Sequence, residues 1–148
     1  MTNQHLSFMK NFAAFLLFCM ASLGLWAAES SEKNWSLYKA LDGVEIYFQE
    51  LSCDDPANGL FEVYTIFKIV NTNEVDVSIT YSMDVRFAGH WYRAEDTDTP
   101  LHTLSIGAGE SMSGSCGNGA LSVFDRFSDR PDRGALDEFV WKNIRVTK

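Results

Sequence analysis

Between Val75 and Phe87 the chain alternates without a break. Val75, Val77, Ile79, Tyr81, Met83, Val85 and Phe87 are apolar, and Asp76, Ser78, Thr80, Ser82, Asp84 and Arg86 fall between them. A period of two places every apolar side chain on one face of a strand and leaves the other face wet. One wet face also predicts an antiparallel sheet, because parallel strands are usually covered on both sides. The preceding run, 60–70, is rich in β-branched and aromatic residues, with Phe61, Val63, Phe67 and Ile69 sharing a parity. It predicts a second strand, separated from the first by the polar tetrapeptide 71–74, so the two either pair or pass between sheets.

Shorter segments repeat this pattern in both directions. Val44, Ile46 and Phe48 alternate behind an Asp42-Gly43 turn, and 53–59 is a loop of turn residues. Downstream, 101–106 predicts a short strand, and Gly107-Ala108-Gly109 turns the chain into 110–116. There Ser111, Ser113 and Ser115 alternate with Met112, Gly114 and Cys116, predicting a strand with hydroxyls outward and Met112 and Cys116 inward. The segment 138–146 closes the series. Its apolar parity shifts from Phe139 and Trp141 to Ile144 and Val146, which predicts a β-bulge near Asn143.

Seven to nine short strands, spaced about 10 residues apart with turn signals between them, predict an all-β fold. Its simplest form is an immunoglobulin-like antiparallel β-sandwich, with a small barrel as the alternative. The strand patterns at 44–50 and 67–73, the alternating run, "LSIGAGES", Cys53, Cys116 and the closing "FVWKNIRV" together resemble small exported immunoglobulin-like domains of Bacteroidetes-type bacteria. The resemblance is one of layout across 36–146. It implies a fold and a compartment, and it carries over no catalytic residue.

The N-terminal 28 residues read as a signal peptide. Lys10 precedes an apolar run of about 15 residues, shorter than the roughly 20 a membrane-spanning helix needs, and small residues follow at 27–28. Met9-Lys10 reads as a natural start, which would make residues 1–8 an upstream extension. Cys19 follows Phe18, too large a residue for a lipidation site, so export followed by cleavage is the reading. Residues 29–148 then form one domain, placed in the periplasm, at the cell surface or outside the cell, with no membrane span in the mature chain.

Cleavage leaves 11 basic against 20 acidic side chains, a net charge of −9. A surface this acidic repels nucleic acid and anionic headgroups. Arg126, Arg130 and Arg133 alternate with Asp125, Asp129 and Asp132 and make no basic patch. Of three cysteines only Cys53 and Cys116 remain, and an even pair in an exported domain predicts one disulfide.

Chemistry is harder to find. The stretch 107–116 lacks the third glycine of a dinucleotide loop and the Gly-x-Ser-x-Gly of a nucleophile elbow. His90 and His102 are the only histidines left and both cysteines are engaged, so no zinc set or cofactor site assembles. His102 shares parity with Leu104 and Ile106 and reads as a partly buried structural residue. The oxygen-rich loops 53–58 and 94–99 depart from a calcium-loop pattern. The residues with binding character are His90, Trp91, Tyr92 and Arg93, just after a turn. One of the two aromatics is expected in the core and the other at the rim, with Trp35 and Trp141 plugging the ends. The sequence thus predicts a non-enzymatic module that contacts a protein partner in the bacterial envelope. A carbohydrate-binding module using Trp91 and Tyr92 is the alternative, and a small hydrolase ranks third.

Overall fold

A computed structural model describes residues 35–96, 101–117, 119–130 and 132–148. The expected signal peptide lies outside the described residues. Among the described residues nine strands follow one another: β1 (Ser36–Leu41), β2 (Val44–Ser52), β3 (Glu62–Asn71), β4 (Val77–Phe87), β5 (His90–Tyr92), β6 (His102–Ile106), β7 (Ser111–Ser113), β8 (Ser122–Phe127) and β9 (Leu136–Thr147). Every pairing is antiparallel. One sheet runs β1-β2-β3, with β8 and β7 sharing the far edge of β3. In the other, β4 is central, flanked by β9 on one side and by β5 and β6 on the other. The protein is an all-β sandwich of two packed sheets, not a closed barrel.

Asp42 and Gly43 both adopt positive φ, at 50° and 75°, in the two-residue turn joining β1 to β2. Ala88 and Gly89 do the same between β4 and β5, at 47° and 79°. Such turns match the right-handed twist of the strands they join. The runs 60–70 and 75–87 prove to be a sheet-switching pair, since β3 and β4 lie in different sheets. Asn71, fully buried, holds that crossover. Its amide donates to the carbonyls of Val75 (2.8 Å) and Gly107 (2.9 Å), and its oxygen accepts from the Asn73 backbone at 3.0 Å.

The parity of β4 holds on its core side, where Val77, Ile79 and Tyr81 are buried. Facing them, Val44, Ile46, Phe67 and Ile69 fill the inner side of the other sheet. Aromatic rings join the layers. Phe67 meets Phe139 and Trp141 edge-on at 5.0 and 5.1 Å, and Tyr81 stacks on Trp141 at 3.9 Å. Trp141 is therefore the central tryptophan of the core, not an end plug. Trp35 is half-exposed, with the Lys68 ammonium 5.1 Å from its ring centre. The expected bulge is present. Thr80 pairs with Arg145 but Ser82 with Lys142, and Asn143 takes φ 53°.

Cys53 and Cys116 are disulfide-bonded, with Cα atoms 5.7 Å apart. The neighbouring segment departs from expectation. β7 ends at Ser113, short of the expected 110–116, and Met112, in register with the core residue Ile69, keeps the inward parity but stays 37% exposed at the sheet edge. The cause is a handover along β3. The Phe67 N–H donates to the Leu121 carbonyl at 2.9 Å, and the Phe67 carbonyl accepts from the Gly114 N–H at 2.8 Å. At that handover a Cβ on residue 114 would collide with the Leu121 carbonyl. Gly114→Ala is expected to cost about 1–3 kcal/mol through this overlap, read as a lower urea midpoint. An unchanged midpoint would show that the two segments separate freely.

Candidate functional site

β5 is three residues long and lies at the edge of the four-stranded sheet. Its register sets the direction of each side chain. Trp91 pairs with Arg86, whose parity is the outer face of β4, while His90 and Tyr92 pair with Phe87 and Val85 on the core parity. All four predicted contact residues, His90, Trp91, Tyr92 and Arg93, are exposed. Trp91 is 38% and Tyr92 56% exposed, so neither is the buried sandwich tryptophan expected from sequence. Trp141 occupies that place because β9 runs along the full length of β4, whereas β5 covers only its end. Tyr92 packs edge-on against Phe87 at 6.1 Å, and the Arg86 guanidinium lies 5.4 Å from the Trp91 ring centre.

Sequence reasoning missed what lies beside Trp91. The supposedly wet face of β4 contains two buried polar residues, Ser82 and Asp84. Ser82 is covered by the bulge, accepting from the Asn143 amide at 3.2 Å. Asp84 is only 3% exposed, because the 3₁₀ turn Ala94–Asp96 folds back onto it. Its carboxylate accepts from the Ala94 N–H at 3.0 Å and from Lys142 Nζ at 2.8 Å. Asp84, Trp91, Arg93, Glu138, Val140 and Lys142 line an open groove of about 280 Å³. Glu138 is held by Arg86 at 3.1 Å. Asp84 sits at a regular polar position of β4, four residues before the Ala88-Gly89 turn, so nothing in the sequence marked this site.

A second hollow, of about 310 Å³, opens between the sheets around Phe48, Thr65, Phe139 and the carboxylates of Glu50, Asp125, Asp137 and Glu138. Asp125 is buried there, pairing with Arg126 at 2.6 Å and accepting from the Leu136 N–H at 3.2 Å. Among the described residues no three His, Cys, Asp or Glu side chains come together as a metal site. In the 53–58 loop, Asp55 accepts from Asn58, and Asp54 accepts from Ser52 and Ser128. Residues 97–99 of the other oxygen-rich loop lie outside the described residues. His102 is half-buried against the Tyr81 ring at 5.2 Å, as its parity predicted.

The two buried carboxylates respond to pH with opposite sign. Burial pushes Asp84 up, but the Lys142 hydrogen bond, the Ala94 N–H and the charges of Lys142 and Arg93 outweigh it and hold the group below its ordinary value. Its stabilising contribution is present at neutral pH and fades as pH falls below the usual carboxylate range near about 4. For Asp125 burial wins over Arg126 and Leu136, and the group titrates above its ordinary value. Keeping it ionised costs stability at neutral pH, and that cost shrinks as pH falls toward about 4. The stability of Asp125→Asn relative to wild type is therefore expected to rise between pH about 4 and about 7. Urea unfolding across that range checks it, and a falling difference would reverse the assignment.

Comparison with protein-family models, curated proteins and solved structures found no match to this chain. The fold and site define an all-β sandwich with one disulfide and an exposed aromatic edge next to a charged groove.

Proposed function

We propose that the chain is a non-enzymatic binding module of the bacterial envelope, exported to the periplasm or cell surface, that grips a protein partner through β5. One observation carries the reading: Trp91 and Tyr92 of the edge strand and Arg93 just after it are consecutive and all exposed. Tryptophan, tyrosine and arginine are the residue types that dominate binding energy at protein interfaces. The two aromatics leave the strand on opposite faces, so they embrace an edge instead of forming a platform for one small ligand. Leu101, 55% exposed just before β6, extends the same edge. The disulfide and the leader-like N-terminus support an oxidising, exported setting.

The test is quantitative binding to the partner recovered from envelope extracts. Tyr92→Ala and Trp91→Ala are each expected to weaken the complex about tenfold or more. Trp35→Ala, just before β1 of the other sheet, should leave it unchanged. Equal affinity of both β5 variants and wild type would defeat the reading.

A further inference from the structure

We propose that the groove beside Trp91 is a second binding site, for a neutral sugar seated one pyranose ring deep. Its lining residues carry two carboxylates, Asp84 and Glu138, and two cations, Arg93 and Lys142. The groove is therefore charge-balanced within a strongly acidic chain. An anion would meet the two carboxylates and a cation the two basic groups, whereas hydroxyls donate to the first pair and accept from the second. Hydrogen bonds to ionised partners are the stronger kind. The carboxylates are also held in place before any ligand arrives. Asp84 is fixed by Lys142 and the Ala94 N–H, and Glu138 by Arg86.

The remaining surface is apolar: the Trp91 indole on one side and Val140 between the charged groups. An aromatic face with an aliphatic neighbour takes the C–H side of a sugar ring, while ionic groups around it take the hydroxyls. The volume of about 280 Å³ lies just under the roughly 300–1,000 Å³ of sites that hold drug-sized ligands, and it is enough to seat a single ring. Tyr92 has no part in this site, since it lies on the opposite parity of β5. The groove therefore shares Trp91 and Arg93 with the β5 protein contact, while Tyr92 belongs to that contact alone.

The experiment is saturation-transfer NMR on the disulfide-bonded protein. The panel holds glucose, galactose and mannose as neutral probes, and glucuronate, glucosamine and a short acidic peptide as charged ones. At least one neutral sugar is expected to bind at millimolar concentration, and the charged probes to bind more weakly. Trp91→Ala is expected to weaken that binding at least about tenfold, and Val140→Trp, which fills the groove, to abolish it. Tyr92→Ala should leave it intact while weakening the protein contact, which separates failure of one reading from failure of the other. Near-ultraviolet circular dichroism confirms that each variant is folded. Absence of binding by every neutral sugar, preference for a charged probe, or full binding by folded Val140→Trp would each overturn the proposal.

Discussion

Replacing Cys53 and Cys116 together by serine is expected to remove about 4 kcal/mol of stability at 25 °C. The two residues are 63 positions apart in sequence. In the chain-entropy treatment, closing a loop of that length restricts the unfolded chain far more than the native one. A domain of this size holds about 5–15 kcal/mol in all, so the loss is a large fraction of the total. The bond also has a local task, joining the loop after β2 to the segment between β7 and β8. Both segments border β3, and the second contains Gly114. Urea unfolding of the oxidised protein against the double serine variant measures the effect. A difference below about 1 kcal/mol would mean that the cross-link restrains little, as when the unfolded chain keeps residual structure.

Phe67→Ala should have a comparable effect, about 3–5 kcal/mol. Phe67 is fully buried and contacts Phe139 and Trp141 of the opposite sheet. Its backbone also receives both β8 and β7, through Leu121 and Gly114. Truncation empties the place where the two layers meet, and the flanking strands are tied by hydrogen bonds that prevent collapse into the cavity. The cost should therefore fall toward the upper end of the range. Phe61→Ala, a half-buried position just before β3, should cost clearly less. Equal losses at the two positions would place the mechanical centre of the core elsewhere.

Local chemistry explains why much of this fold was readable beforehand. The parity of β4, the Asp42-Gly43 turn and the parity slip at Asn143 are each decided within a few residues. The disulfide needed only an even cysteine count and the expectation of export. What was not readable depends on distant segments meeting. Nothing near Trp141 says that it, and not Trp91, stacks on Tyr81. Gly114 reads as one glycine among several until Leu121 is placed against it. Met112 follows strand alternation, but its strand stops one residue later.

The candidate site divides in the same way. Residues 90–93 stood out because exposed aromatics after a turn are legible one by one. The expectation that one of the two aromatics enters the core failed because the length of β5, not its composition, decides what covers it. The groove was invisible in sequence. Its residues come from β4, β5 and β9, and Asp84 becomes its floor only when the turn at Ala94–Asp96 folds back. An aspartate at a regular polar position of a strand gives no warning of that.

The central claim, that β5 is a contact surface for a protein, is tested most directly by site-specific photocrosslinking. A photoreactive amino acid would replace Tyr92 in the producing cell, with Glu45 on the other sheet as the control position. The account predicts one discrete crosslinked product from position 92, containing the same envelope protein each time, and none from position 45. No product at 92, or the same products at both positions, would contradict it.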